Sequence, residues 1–259
     1  MNRLTVTLIT CDEERNLPRA LGSLAGLADE IVVVDSGSTD RTCEIARQHG
    51  ARVVERAWTD FSDQKNFAAS QATHDWIFSL DADEELSSGL HAELRHWKEE
   101  PAAAAAYAMP RKARYLGRWI HHSGWYPDPK RRLYHRERAR FVSPLHESLQ
   151  VDGPVGRFQG DLYHHTFATV SDHVARVNTY TSLAAEHLFA AGRRRWLLPL
   201  LVSPPWMLLR TYFLKQGFRD GYPGWLIANL TALASFLKFA KLGILVHGGS
   251  LREHAPTPT

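Results

Sequence analysis

Two β-branched runs, Leu4-Thr5-Val6-Thr7-Leu8-Ile9-Thr10 and Ile31-Val32-Val33-Val34, constrain this chain more than any other feature. Each is apolar enough to be covered on both faces, as parallel strands are. Between them Leu17, Leu21, Leu24 and Leu27 recur at helical spacing, with Pro18 tolerable in the first turn. Ser36-Gly37-Ser38-Thr39-Asp40 then supplies a turn and an N-cap for a helix reaching about His49, which Gly50 stops. Val53-Val54 reads as a third short strand, residues 63–72 as another helix and 76–80 as a fourth strand. Strand alternating with helix in this order predicts an α/β fold with a mostly parallel sheet and right-handed crossovers.

From about residue 101 to 165 the pattern changes to short apolar pieces (Tyr107-Ala108-Met109, Arg132-Leu133-Tyr134, Leu149-Gln150-Val151) among Gly, Pro, Arg and aromatics. This predicts a mixed region with antiparallel strands and long loops at the sheet's end. Residues 171–191 read as one helix, with Ser171 as its cap. The expected organisation is a domain over 1–165 followed by a helical C-terminal extension over 166–259. With 259 residues, 44% hydrophobic and 23% charged, the chain is neither disordered nor fibrous. Cys11 and Cys43 are its two cysteines, too few for a disulfide framework or a Cys-rich zinc site, so a reducing compartment is expected. Asp12, Glu13 and Glu14 arrive too early for a secretory signal to open the sequence.

Charge is unevenly spread. Residues 1–100 hold 10 Lys and Arg against 19 Asp and Glu, whereas residues 101–259 hold 21 against 9. An acidic half suits a cation site and a basic half an anionic partner, although two ordinary solvated faces would look the same. Near the C-terminus, residues 196–209 and 222–237 carry no charge. Pro199, Pro204 and Pro205 interrupt the first, and both fall short of the roughly 20 residues of a spanning helix. Arg193, Arg194, Arg195, Arg210, Lys215, Arg219, Lys238 and Lys241 border them. Such segments suit helices lying in a membrane interface; a hairpin packed in the protein, or true spanning, remains open.

Asp81-Ala82-Asp83 directly follows the fourth strand, where open α/β sheets bind ligands. Two carboxylates spaced i, i+2 in irregular backbone can share a hydrated Mg²⁺ or Mn²⁺ and so neutralise a diphosphate. The plain alternative is that Asp83, Glu84 and Glu85 favour the start of the next helix. Asp35 ends the second strand, where a carboxylate can accept from a nucleobase N–H or ribose hydroxyls, or simply organise a turn. The loop after the first strand, Thr10-Cys11-Asp12-Glu13-Glu14, has no glycine, which excludes a dinucleotide fingerprint and a P-loop. Adjacent pairs His121-His122 and His164-His165 lack the i, i+4 spacing of a helical metal site. The basic residues accompany long apolar runs rather than any nucleic-acid motif, so no nucleic-acid partner is expected.

The order Thr10-Cys11-Asp12-Glu13, Val33-Val34-Asp35-Ser36-Gly37-Ser38-Thr39-Asp40, Gln64-Lys65-Asn66 and Leu80-Asp81-Ala82-Asp83-Glu84 resembles the family 2 inverting glycosyltransferases of GT-A (Rossmann-like) fold. Gly124-Trp125-Tyr126-Pro127-Asp128, Arg131-Arg132-Leu133, His146-Glu147 and the tail Lys215-Gln216-Gly217-Phe218-Arg219-Asp220-Gly221 are similar to the bacterial branch with the lipopolysaccharide-core β-1,4-glucosyltransferases. The resemblance implies that Thr10, Glu13 and Asp35 line the base and ribose of a nucleotide-sugar, a UDP-hexose being the expected donor. It implies that Lys65 faces the nucleotide or its phosphates, that Asp81 contacts ribose and that Asp83 holds Mg²⁺ or Mn²⁺, with Asp81 beside it. Cys11-Asp12 departs from the family's usual Tyr-Asn or Lys-Asn, so Asp12 receives no role.

An inverting transfer also needs a carboxylate to take the acceptor's proton. Glu147 is the first candidate and Asp128 the second, the latter in a Pro-flanked loop among aromatics that could stack on sugar. Arg131 or Arg132 could assist the leaving diphosphate. The resulting expectation is a metal-dependent enzyme, peripheral on the cytoplasmic membrane face, acting on a lipid-borne saccharide. A polyprenyl phosphate acceptor, or a catalytically inactive binding protein on the same fold, is the alternative.

Overall fold

The computed structural model describes residues 1–142, 148–167 and 169–251. In chain order the first elements are β1 (Leu4–Thr10), α1 (Leu17–Gly22), β2 (Glu30–Asp35), α2 (Thr42–Gln48), β3 (Arg52–Glu55), α3 (Phe61–Ser70), β4 (Trp76–Ser79), β5 (Glu84–Leu86) and α4 (Ser88–Glu99). There follow β6 (Ala106–Tyr115), β7 (Arg118–Trp119), β8 (Asp128–His135), β9 (Ala139–Val142), β10 (Ser148–Val151), β11 (Val155–Arg157) and β12 (Leu162–Phe167). Helices α5 (Val170–Ala190), α6 (Leu197–Leu209) and α7 (Tyr222–Val246) complete the chain, with a π-turn at Arg210–Leu214 and a 3-10 turn at Gly217–Asp220. Two compact units result. One comprises Met1–Ala113 and Pro127–His165, the other Arg114–Tyr126 and Thr166–Thr259.

In the first unit the main sheet runs β3-β2-β1-β4-β8-β6-β12-β5. The β1, β2, β3 and β4 pairings are parallel, and β8 joins β4 antiparallel. β6 continues antiparallel to β8, with a register shift at Tyr107/Ala108, while β9 and β10 form a separate two-stranded sheet. This is the parallel-then-mixed arrangement that the sequence pattern predicts. Both faces of β2 are covered, which is why its valines run without polar interruption. Val33 packs with Leu17, Leu21 and Leu24 in one core, and Val32 and Val34 pack with Ala68 in another.

Several expectations need correction. The leucine-spaced helix is short: α1 ends at Gly22, and Leu24 and Leu27 are buried from the turns that follow it. Leucine periodicity there reports burial rather than helix length. Asp128 opens a strand instead of lying in a loop. In the second unit the cap of α5 is Thr169, whose side chain accepts from Asp172 N while the Asp172 carboxylate accepts from Thr169 N, a complete capping box. Trp125 packs with Tyr115, Phe167 and His173 inside that unit, so its ring is committed to packing there.

The C-terminal helices are longer than their uncharged runs. Pro204 and Pro205 lie inside α6 without ending it, and the π-turn extends the helical stretch to Leu214. α7 spans 25 residues because it carries Lys238 and Lys241 within it. By length and composition alone, Leu197–Leu214 and Tyr222–Val246 are long and apolar enough to cross a membrane.

Candidate active site

The C-terminal ends of β2, β1 and β4 lie side by side in the first unit, so Asp35, Thr10 and the Asp81–Asp83 segment are neighbours at one edge of the sheet. Register sets Thr10 beside Asp35, and the Thr10 hydroxyl donates to Asp35 Oδ1 at 2.8 Å. Asp35 also accepts from Gly37 N at 3.0 Å, Ser38 N at 2.8 Å and Ser38 Oγ at 2.6 Å. Burial works to raise its pKa, but the donors from Ser38, Thr10 and Gly37 outweigh it and hold the carboxyl below the usual range. Four donors nearly exhaust a carboxylate's acceptor capacity. Asp35 thus organises the β2 turn, with Gly37 at φ +90° supplying the backbone conformation that only glycine adopts freely.

Asp12, which the sequence reading left without a role, laces the β1 loop to the β2 loop. Its backbone N–H donates to Ser38 Oγ at 2.8 Å, and its Oδ1 accepts from Thr39 N at 2.8 Å. Glu13 N donates to Thr42 Oγ1 at 2.7 Å in the same seam. The Glu13 carboxyl is raised above its ordinary pKa by burial first; Asn16 opposes this by hydrogen bonding, and the nearby charges of Asp83, Asp40 and Asp81 reinforce it. Glu13 thus feels the negative charge of the Asp-x-Asp pair.

The three residues Gln64-Lys65-Asn66 on α3 divide their work. Gln64 donates to Ser36 Oγ at 3.0 Å, and Asn66 exchanges two hydrogen bonds with the Phe141 backbone, both 2.9 Å. Buried Lys65 reaches Asp81 Oδ1 at 2.7 Å. The other Asp81 oxygen accepts from Arg132 on β8. Burial disfavours the ionised form of Asp81, but Arg132 and Lys65 overcome this and hold its pKa far below the carboxylate range.

From Arg132 the ion pairs continue. Its Nη2 lies 2.7 Å from Glu84 Oε1, a carboxylate with no exposed surface. Arg111 on β6 lies 3.4 Å from the same oxygen and 2.7 Å from Asp128 Oδ2, and Lys130 holds Asp128 Oδ1 at 3.1 Å. Burial opposes ionisation of Asp128, yet Arg111 and Lys130 keep its pKa lowered. Arg111 is not part of any sequence motif named above, and Glu84 entered only as the last residue of the Leu80–Glu84 motif and as a helix-start acid. Their places depend on the antiparallel registers of β6, β8, β12 and β5, which local patterning does not encode.

Asp83 stands apart from this chain. Its Oδ2 lies 3.1 Å from His164 Nε2, while the neighbouring His165 faces Glu85 at 3.2 Å. The His-His pair is thus split between two carboxylates, and His164, whose spacing argues against a helical metal site, lies beside Asp83. Its signal was position: β12 pairs antiparallel with β5, whose first residue directly follows Asp83. Among the described residues no cluster of three or more His, Cys, Asp or Glu could hold a metal ion. Asp81 has both oxygens committed to cations, so Asp83 and His164 are the pair whose oxygen and imidazole donors suit a divalent cation such as Mn²⁺. Glu147 lies outside the described residues.

A parallel α/β half continued by antiparallel strands is the arrangement of the GT-A glycosyltransferases. Residues 5–150 match the family model for glycosyl transferase family 2. An uncharacterised glycosyltransferase of Rickettsia typhi is 30% identical over 263 residues, covering 93% of this chain and 87% of that one. A lipopolysaccharide core biosynthesis glycosyltransferase of Rhizobium meliloti, LpsC, is 29% identical over 252 residues, covering 92% and 91%. Among solved structures, that of residues 1-349 of TarS from S. aureus in complex with UDP-GlcNAc superposes with a TM-score of 0.48 at 15% identity, covering 96% and 93%. The chain belongs to glycosyl transferase family 2.

Proposed function

We propose that this glycosyltransferase moves a hexose with inversion from a UDP-sugar to a lipid-borne saccharide of the lipopolysaccharide-core type, at the cytoplasmic face of the membrane. What supports the reading is that Thr10 and Asp35 meet at the adjacent ends of β1 and β2 while Lys65 on α3 pairs with Asp81 just after β4, two residues before Asp83. The likeness to LpsC along nearly the whole chain supports the acceptor class. Exposed apolar C-terminal helices support a membrane-proximal substrate.

Residues of this chain divide the chemistry. The laced β1 and β2 loops, held rigid through Asp12 and Asp35, give the nucleoside a preformed wall. Lys65 and Arg132, fixed against Asp81, present positive charge toward the diphosphate that leaves. Asp83 with His164 would hold Mg²⁺ or Mn²⁺, which when bound supplies further charge neutralisation at the leaving group. A general base takes the acceptor hydroxyl's proton as its oxygen attacks the anomeric carbon and the bond to UDP breaks. Asp128 suits that role poorly because Arg111 and Lys130 lower its basicity. We therefore assign the base to Glu147.

The test is Asp83→Ala, assayed by UDP release with Mn²⁺, donor and lipid acceptor. A loss of about a hundredfold or more in kcat, with unchanged far-UV circular dichroism, is expected. Turnover like that of the unaltered enzyme would retire the assignment.

A further inference from the structure

We propose that α6 and the π-turn after it lie in the plane of an anionic bilayer leaflet, held there from one side, and that the α6–α7 hairpin does not span. The inference deepens the reading of a lipid-borne acceptor by naming the surface that meets the lipid.

No residue of α6 is buried. Leu198 is 71% exposed, Leu201 65%, Val202 56% and Trp206 52%. Thirteen helical residues that include no charge cannot be left in water at this exposure without a partner surface. Charge identifies that partner. Between residues 187 and 251 there are eight Lys and Arg and a single acid, Asp220. The Asp220 carboxylate is turned inward and buried, accepting from His121 N and His122 N at 3.0 Å each and from Ser123 Oγ at 2.9 Å. Its charge therefore does not offset Arg193, Arg194 and Arg195 before α6, or Arg210, Lys215 and Arg219 after it. An apolar strip bordered by cations on both ends, with aromatic Phe213, Phe218 and Tyr222 at one of them, fits anionic lipid better than an apolar protein face.

Internal ties argue against spanning. Trp196 packs on Gly243 and lies with its ring 5.7 Å from that of His247, so α6 starts beside the end of α7 and the two form an antiparallel hairpin. Its turn is fastened to a polar loop by Asp220 and by Ser123 N, which donates to Lys215 O at 2.8 Å. Carrying the turn across a bilayer would drag His121, His122 and Ser123 with it. Farther along α7, Lys241 Nζ lies 2.7–2.9 Å from Asn178 O, Thr181 Oγ1 and Ser182 Oγ on α5. α7 is thus tied to α5 at Lys241, and α6 is half-buried on the side that meets α7 while its other side, with Leu198, Leu201, Val202 and Trp206, stays exposed.

The experiment is flotation of the full chain with sealed phosphatidylcholine vesicles, with and without phosphatidylglycerol and free of any saccharide acceptor. Vesicle binding is thereby separated from sugar transfer, so an error about the acceptor leaves this result unmoved. The chain is expected to float with the anionic vesicles and to bind neutral ones more weakly. Leu198→Asp with Leu201→Asp lowers partition about a hundredfold, and replacing Arg193, Arg194 and Arg195 by Gln removes about fivefold per residue with anionic vesicles only. A Gln216→Cys chain in which Cys11 and Cys43 are serine reacts with an impermeant maleimide added outside. Absence of flotation, or protection of that thiol, overturns the proposal. So does self-association in solution that Leu198→Asp with Leu201→Asp abolishes while the vesicles stay empty of protein.

Discussion

Asp81→Asn isolates the electrostatic centre of the site. The amide keeps the shape of the carboxylate but presents no negative charge to Lys65 or Arg132. Arg132 retains Glu84 at 2.7 Å, so the loss falls on Lys65, whose side chain is 2% exposed and whose Nζ was 2.7 Å from Asp81. Breaking a buried pair from one side costs about 3–5 kcal/mol. Asp81 keeps 26% of its surface in water, which argues for the lower end, about 3 kcal/mol. Lys65→Met costs less, about 1–2 kcal/mol, because Arg132 still compensates Asp81. The double variant is expected to recover about 2 kcal/mol relative to the sum of the single changes. Urea unfolding followed by far-UV circular dichroism reads this as a midpoint lowered by about 1 M for Asp81→Asn. A midpoint unchanged by Asp81→Asn, or strict additivity in the double variant, would refute the idea that Lys65 depends on this carboxylate.

Two further outcomes follow from other carboxylates. Glu30 accepts from Thr73 N at 2.7 Å and Thr5 Oγ1 at 2.8 Å and pairs with Arg52 at 3.0 Å; although burial opposes this, its pKa is lowered to about 2. A depressed folded-state value means the stabilisation is complete above about pH 4.5 and is lost as pH falls toward 2. Glu30→Gln is therefore expected to cost about 2 kcal/mol at neutral pH after allowance for solvent screening and to flatten the acid limb of the unfolding curve, measured by circular dichroism from pH 6 downward. Asp220→Ala orphans the N–H groups of His121 and His122 and should destabilise the second unit by about 2–4 kcal/mol, read as faster amide exchange at residues 121–123.

How much of this was legible in sequence varies with the range of the interactions. The β1–β4 alternation could be read because buried parallel strands must be apolar on both faces, and the placing of Asp81 and Asp83 followed from where β4 ends. The ion-pair chain could not be read. Arg111, Arg132 and Glu84 meet through antiparallel registers between segments up to 48 residues apart, and composition alone made the first hundred residues look like an acidic cation site. The structure instead spends Asp81 on two cations and leaves Asp83 beside His164. The C-terminal helices were underestimated for a local reason: Lys238 and Lys241 looked like borders, yet Lys241 turns inward onto α5 and the helix passes through both. Helix caps were readable only to within a residue or two, as with Thr169 for Ser171.

The run of ion pairs from Lys65 through Asp81, Arg132, Glu84, Arg111 and Asp128 to Lys130 begins and ends with a lysine, so four cations alternate with three anions. An odd-numbered series bounded by the same sign keeps one elementary positive charge in surplus. Asp83, two residues from Asp81, cancels that surplus locally, so the polypeptide by itself offers a polyphosphate no net attraction there. Added electrolyte should therefore leave capture of UDP little changed when no divalent ion is supplied.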